Sequence, residues 1–371
     1  MKILHIINSL DDGGAENTLY KICKYDNINE HAVISLTTSG KYSSLIKKLG
    51  IKVYSLNLKF YSIEKFNNLI KLIIFHRPEV LQTWLPHSDF IGGIAARFAG
   101  IKKVVWNIRY SNLESGVVKF RTVLLINILS KLSYLIPKKI IVNSTTALKN
   151  CKNLGYHKKK LTLIHNGYDL SVFKKDEKKN YIRKKFKVDE NINILGLVAR
   201  YDLTKDHENL LKALSIVKQN NKNFFCILIG KNIKNKSIIR RIKILGLNKF
   251  VKLIDKKTNI HKYMGALDVH ILSSKTESFP NVVAEAMACG TPCVVTNVGD
   301  SALITGNTGW VVPPNNPNKL AIAIEKALSE KTKNNWKKRC NLARQRIKNN
   351  FNIIKMINSY NLVWSKVSML K

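Results

Sequence analysis

Residues 3–16 run Ile-Leu-His-Ile-Ile-Asn-Ser-Leu-Asp-Asp-Gly-Gly-Ala-Glu. Ile3–Asn8 is an apolar run of buried-strand length, the polar stretch holding Gly13 and Gly14 is a turn, and a helical pattern begins at Ala15. The same alternation continues outward. Strand-like runs recur at His31–Thr37, Lys52–Leu56, Val80–Trp84, Lys103–Ile108 and Lys139–Val142, with helical periodicity at Ile63–Phe75, Phe90–Phe98 and Val117–Leu135. Strands alternating with helices imply parallel β-α-β units with right-handed crossovers, hence one Rossmann-like domain over 1–165.

Asn166-Gly167 is a turn signal, and Lys174–Lys187 carries eight basic and two acidic residues. Such a run reads as solvated chain, so 166–190 is expected to be an interdomain linker. The alternation restarts with strand Ile192–Val198, helix Lys205–Val217, strand Phe224–Ile229 and helix Ser237–Leu245. Strands Phe250–Leu253, Val269–Leu272 and Pro292–Thr296 follow, with a helix at Val282–Cys289 and closing helices at Asn316–Leu328 and Asn334–Asn349. This predicts a second Rossmann-like domain over 191–350. Residues 351–371 read as a helical tail, Ile353–Ser368, able to cross back to the first domain. The expected class is α/β, with two doubly wound domains facing a central cleft. Ligands then belong at loops that follow strands.

The chain has 371 residues, 45% hydrophobic and 23% charged, which excludes a disordered chain and suffices for two cores. Six scattered cysteines without a C-x-x-C pair argue for buried thiols in a reducing cytoplasm, against a disulfide scaffold or a zinc site. The start lacks a signal-peptide pattern, and the apolar stretch near 122–136 is too interrupted to span a membrane. The net charge of +39 predicts an anionic partner: a membrane surface, phosphorylated substrates or nucleic acid. A Lys-, Asn- and Ile-rich composition accounts for part of it, and no nucleic-acid motif accompanies it.

Four constellations carry chemistry. Asp11-Asp12-Gly13-Gly14-Ala15-Glu16 follows the first strand and opens a helix, which suits a phosphate as well as an ordinary tight turn. Gly196-Leu197-Val198-Ala199-Arg200 with Lys205 puts two cations at a strand end, a receptor for a diphosphate, although such a pair is easily found in so basic a chain. The third unit runs Glu277-Ser278-Phe279-Pro280-Asn281-Val282-Val283-Ala284-Glu285-Ala286-Met287-Ala288-Cys289-Gly290-Thr291-Pro292. Its carboxylates at Glu277 and Glu285 can accept two or more bonds from sugar hydroxyls, and the amides of 279–283 are expected to be free donors at a helix start. The fourth comprises Thr83–Asp89, with His87 in a loop, and Trp106-Asn107-Ile108-Arg109-Tyr110-Ser111. His87 reads equally as a site residue and as a structural one.

The third unit, with Arg200 and Lys205 upstream, resembles the retaining GT-B glycosyltransferases of glycosyltransferase family 4. Asn166-Gly167-Tyr168-Asp169, Thr308-Gly309-Trp310-Val311-Val312-Pro313-Pro314 and Gly13-Gly14-Ala15-Glu16 resemble further segments of that family, in its order. The resemblance implies that Arg200 and Lys205 hold the diphosphate of a nucleotide-sugar donor and that Glu285 binds the ribose. Glu277 would contact the donor sugar, Phe279–Val283 would supply amides, and Gly14 beside Gly13 would approach the diphosphate. No metal or other cofactor is implied, and the chain has no Asp-x-Asp pair. Where many relatives carry a first-domain histidine this chain has Arg109 and Tyr110, which leaves His87 as the neighbouring candidate. The implied donor is a UDP-hexose or UDP-N-acetylhexosamine, or GDP-mannose. The implied acceptor is a saccharide on a polyprenyl diphosphate at the inner face of the cell membrane, in O-antigen or capsule synthesis. Tyr110–Leu135 is the candidate membrane-facing surface. A polyanion-binding protein that has lost catalysis on the same scaffold, or an epimerase or phosphorylase, is the competing reading; the paired glutamates argue against polyanion binding.

Overall fold

Two sheets, each wholly parallel in its pairings, organise the chain. The computed structural model describes residues 1–58, 62–109, 120–174, 180–255, 259–331 and 335–370. They divide into unit 1, Met1–Gly167 with the segment from Ile353 onward, and unit 2, Tyr168–Asn352.

The sheet of unit 1 holds β1 (Lys2–Ile7), β2 (Glu30–Ser35), β3 (Lys52–Ser55), β4 (Val80–Trp84), β5 (Val104–Ile108), β6 (Lys139–Val142) and β7 (Leu161–Leu163). Their spatial order is β3-β2-β1-β4-β5-β6-β7. β4 and β5 are buried at every position, as strands covered on both faces must be, and their Val-, Leu- and Trp-rich sequences supply the apolar surface. The crossovers contain α1 (Gly14–Tyr25), α2 (Lys41–Lys47), α3 (Ile63–His76), α4 (Pro86–Phe98), α5 (Phe120–Leu132) and α6 (Thr145–Asn153). Ser62 and Ser144 cap α3 and α6 by accepting from Lys65 N at 3.4 Å and Ala147 N at 2.9 Å.

Unit 2 contains α7 (Asn180–Phe186), then β8 (Asn193–Val198), α8 (His207–Asn220), β9 (Phe224–Gly230), α9 (Lys236–Ile244), β10 (Val251–Asp255), α10 (Ile260–Ala266) and β11 (Val269–Leu272). It continues with α11 (Asn281–Ala288), β12 (Cys293–Thr296), α12 (Ser301–Thr305), β13 (Trp310–Val312), α13 (Pro317–Lys331) and α14 (Trp336–Asn350). The strand order is β10-β9-β8-β11-β12-β13. In each unit the chain winds outward one way from the first strand and then returns to start the other side. The switch points lie between β1 and β4 and between β8 and β11, where open parallel sheets bind ligands.

The last helix, α15 (Ile353–Ser368), belongs to unit 1. Ile353, Met356, Ile357, Tyr360, Val363, Trp364 and Val367 form one buried stripe along it. Trp364 Nε1 donates to Gln82 Oε1 at 2.6 Å, and Asn107 Nδ2 donates to the Tyr360 hydroxyl at 2.8 Å. Each large side chain in this stripe contributes about 1.5–3 kcal/mol by leaving water.

Two expectations need correction. The segment 166–190 is not simply a solvated linker. Tyr168 is fully buried in unit 2, and α7 seats Ile182 in the core beneath it. Two of the basic side chains have partners: Arg183 donates to Ile192 O at 2.9 Å and pairs with Asp268 at 3.6 Å, while Lys185 donates to Tyr263 at 2.8 Å. Residues 175–179 of this run lie outside the described residues. His87 is likewise not on a loop. α4 starts at Pro86, whose fixed φ suits a first helical turn, after Leu85 reverses the chain at φ 74°. Tyr110, Ser111 and the first residues of the expected helix Val117–Leu135 lie outside the described residues, as does Asn334. All six cysteines are buried thiols. Burial pushes Cys23, Cys151 and Cys289 up to about 12.

Candidate functional site

The residues after β8 build one side of the unit 2 switch point. Arg200 leaves the strand end with its side chain 64% exposed, and its Nε lies 3.2 Å from Asp202 Oδ2. Asp202 also accepts from Thr204 N at 2.9 Å and Thr204 Oγ1 at 2.6 Å, which forces a single 3-10 turn, Leu203–Lys205. Asp206 then takes a left-handed conformation, φ 48°, and caps α8 by accepting from Asn209 N at 3.3 Å. The Lys205 side chain is thereby turned away from solvent.

The residues after β11 build the other side. Lys205 Nζ donates to Glu277 Oε1 at 2.6 Å, with the two side chains 19% and 13% exposed. Ser274 Oγ donates to the same oxygen at 2.8 Å. Two backbone links join the loops: Ser273 Oγ donates to Lys205 O at 3.0 Å, and Lys275 N donates to Thr204 O at 2.8 Å. Beneath Glu277 lies Gly299, φ 55°, where a Cβ would come within 2.4 Å of Glu277 O and 2.5 Å of Ser278 O. Only glycine permits that approach.

Helix α11 starts at Asn281 without a side-chain cap on Pro280. Phe279 and Pro280 are buried, so Phe279 offers its backbone rather than its ring. Asn281 and Val282 are half-buried, Val283 is fully buried, and Glu285 stands half-buried on the second turn. The expectation that the amides of 279–283 are all free donors fails at Pro280, which has no N–H, and at Val283, whose N–H donates to Pro280 O at 3.1 Å. The cause at Val283 is the tight turn that proline sets up at the helix entrance.

In unit 1 the corresponding switch point carries Gly13, Gly14 and His87. Gly13 precedes α1 in extended conformation, φ −137°, and Gly14 is the first helical residue. Glu16 in that first turn is buried, which pushes its carboxyl up; Asp11 adds to this and Arg109 opposes it. Arg109 donates to Thr18 Oγ1 at 2.9 Å and to Asn166 Oδ1, and its guanidinium lies 5.8 Å from the Trp84 ring centroid. His87 is half-buried on the first turn of α4, and burial holds its ring below the usual imidazole range. Among the described residues no three His, Cys, Asp or Glu side chains gather as a metal-binding set.

Two family models match the chain, "Glycosyltransferase Family 4" over residues 12–172 and "Glycosyl transferases group 1" over residues 178–349. The chain belongs to glycosyltransferase family 4. An Escherichia coli UDP-Gal:alpha-D-GlcNAc-diphosphoundecaprenol alpha-1,3-galactosyltransferase is 26% identical over 305 residues, 78% of this chain and 76% of that one. A Staphylococcus aureus capsular polysaccharide biosynthesis glycosyltransferase, CapH, is 26% identical over 300 residues, 77% of this chain and 78% of that one. Among solved structures, Anabaena HepE in complex with UDP and glucose superposes with a TM-score of 0.86 at 20% identity, covering 99% and 100% of the two chains. That likeness places this family 4 glycosyltransferase in the GT-B fold.

Several features of the transferase escape a reading of motifs. Asp202 and Ser274, which hold Arg200 and Glu277, lie outside the quoted patterns, and their only local signal is a polar side chain within three residues of a charged one. His207, next to Lys205, is buried with its ring held down to about 4, chiefly by burial and further by Lys205. His270 in β11 is held at about 3 by burial. In the unfolded chain both titrate near about 6.5, so below that pH the unfolded state takes up protons that the folded unit refuses. Stability contributed by these rings is present above about pH 6.5 and lost as pH falls toward 4 and 3. Urea titrations at pH 7 and pH 5 are expected to show a loss of about 2 kcal/mol per ring at the lower pH. Each of His207→Phe and His270→Phe is expected to lose about 2 kcal/mol less than wild type over the same interval, since the other ring remains; a wild type insensitive to the change of pH would refute the assignment.

Proposed function

We propose that this glycosyltransferase moves a sugar from a UDP-hexose or UDP-N-acetylhexosamine to a saccharide acceptor on a polyprenyl diphosphate, with retention at the anomeric carbon and without a metal. The product would enter a bacterial surface polysaccharide, and the protein would work in the cytoplasm at the inner face of the membrane. The observation that carries the reading is the Lys205–Glu277 pair, 2.6 Å apart and only partly exposed, at the switch point between β8 and β11. A cation and a carboxylate joined there suit a ligand that has phosphate next to sugar hydroxyls. The similar transferase of Escherichia coli, with a UDP-sugar donor and a diphosphoundecaprenol acceptor, supports the choice of chemistry.

In this reading the Lys205 ammonium has three donors, and one bond to Glu277 leaves two for phosphate oxygens. Arg200 engages Asp202 through Nε, which leaves its terminal NH2 groups to the diphosphate. As the diphosphate departs it gains charge that both cations stabilise more strongly than they stabilise the bound donor. Glu277 orients the sugar, Glu285 the ribose, and the turn at Pro280–Val282 lies beside both. The departing phosphate takes the acceptor proton, so no enzymic nucleophile is required. Gly13 and Gly14, at the switch point of unit 1, are assigned to the donor diphosphate, and His87, on the first turn of α4, to the reacting groups.

Calorimetric titration with UDP and GDP at physiological salt tests the donor site. Saturable UDP binding that Lys205→Ala weakens by at least tenfold is expected. Preference for GDP would redirect the assignment to mannosyl transfer, and binding of neither would refute it.

The membrane part of the reading rests on α5. Phe120, Leu124 and Ile128 lie four residues apart on one helix face and are 80%, 52% and 42% exposed, with Arg121 and Lys131 on the same helix. No helix among the described residues is long and apolar enough to cross a membrane. An apolar stripe with basic neighbours suits adsorption to anionic lipid, at about 1 kcal/mol per basic residue near the surface. Binding to phosphatidylglycerol vesicles is expected to fall several-fold between 0.05 and 0.5 M salt, and binding indifferent to salt would contradict this attachment.

A further inference from the structure

The chain enters unit 2 at Tyr168 and leaves it at Asn352, and these two exits lie side by side. Tyr168 N donates to Phe351 O at 2.9 Å, and Tyr168 forms a parallel bridge with Asn352. Tyr168 and Phe351, the residue before Asn352, both reach the start of α11. The Tyr168 ring is completely buried, yet its hydroxyl donates to Asn281 Oδ1 at 2.5 Å. The Phe351 ring lies edge-on to Phe279 at 5.6 Å. The far end of the helix is held from the same side: Arg344 on α14 donates to Ala288 O and Phe173 O, and to Leu170 O at 3.0 Å. Tyr168, Phe173, Phe279, Val283, Ile347 and Phe351 share one apolar cluster.

A phenylalanine would fill the Tyr168 site equally well as a core side chain. The hydroxyl therefore needs its own account, and its partner is the first residue of the helix that carries Glu285. We propose that Tyr168 is a positioning residue for the donor site: its phenol sets the Asn281 side chain and ties the entry of the chain into unit 2 to the ligand end of α11. The inference rests on the donor-site reading above and adds a residue outside the motif to it.

The test uses the full-length protein and calorimetry with UDP, or with GDP if the wild type prefers it. Tyr168→Phe keeps the buried ring and removes only the donor. It is expected to raise the nucleotide Kd and the donor KM together by roughly five- to tenfold, the effect of one buried hydrogen bond, with kcat changed less than twofold. Asn281→Ala is expected to do the same, and the double variant to be no worse than the poorer single. A role confined to packing would lower Tm and leave Kd and KM alone. Wild-type affinity in both single variants, or effects that multiply in the double variant, would overturn the proposal while leaving the donor site intact. A wild type that binds neither nucleotide would instead remove the donor-site reading and this inference with it.

Discussion

Lys205→Met and Glu277→Gln are each expected to lower both stability and turnover, whereas the double variant should recover stability alone. Each single change strands a charge that is less than one-fifth exposed. Breaking such a pair from one side leaves an uncompensated ion, and partial exposure reduces the usual penalty to about 2–4 kcal/mol. Methionine keeps the length of the lysine stem, and glutamine keeps the shape that Ser274 Oγ donates to. With both charges gone nothing is stranded, so the double variant should lie within about 1 kcal/mol of wild type. Catalysis follows a different rule. If the two groups act on the diphosphate and the sugar, all three variants should lose roughly 10²–10³-fold in kcat/KM. Urea midpoints and initial rates on the same preparations separate the two effects. A double variant that regained turnover along with stability would show that the pair is a structural strut.

Gly299→Ala is expected to lower stability by about 3 kcal/mol and kcat/KM by about 10²-fold. Two penalties coincide there. The backbone is left-handed at φ 55°, and the new methyl would stand 2.4 Å from Glu277 O and 2.5 Å from Ser278 O. Those atoms are backbone, and Ser278 O also accepts from Asp300 N at 2.9 Å, so the strain cannot be shed by a rotamer change. The loop must move and carry Glu277 with it. Gly155→Ala is the control. Its φ is 81°, but nothing lies within 4 Å of the added atom, so only the left-handed strain of about 1–2 kcal/mol applies. Equal losses at the two positions in thermal unfolding would show that crowding at Glu277 has no part.

The local pattern was sufficient for most strands and long helices. β4 is Val80–Trp84 and α15 is Ile353–Ser368, the bounds that apolar run and helical period predict, because burial on two faces or along one stripe writes itself into neighbouring residues. It passed over α2 and α10, seven-residue helices too short for a period to register. It misread Lys174–Lys187 because counting charges cannot see Asp268, eighty-five residues beyond Arg183, waiting as a partner. It placed His87 in a loop because the helix signal at Pro86 precedes the first apolar repeat.

The chemistry divides in the same way. Residue types and their order along the chain were enough to set Arg200, Lys205, Glu277 and Glu285 at strand ends and helix starts, and the family followed from that order. That Lys205 bonds Glu277 was beyond any local reading. It depends on β11 pairing with β8 rather than with β10, its predecessor in the chain, with Val269 opposite Leu195. The bond from Tyr168 to Asn281 spans 113 residues in the same manner. Periodicity records which face of an element is buried, a property of neighbours a few residues apart. Strand order and register are set by packing over the whole unit, and only there do distant side chains become one site.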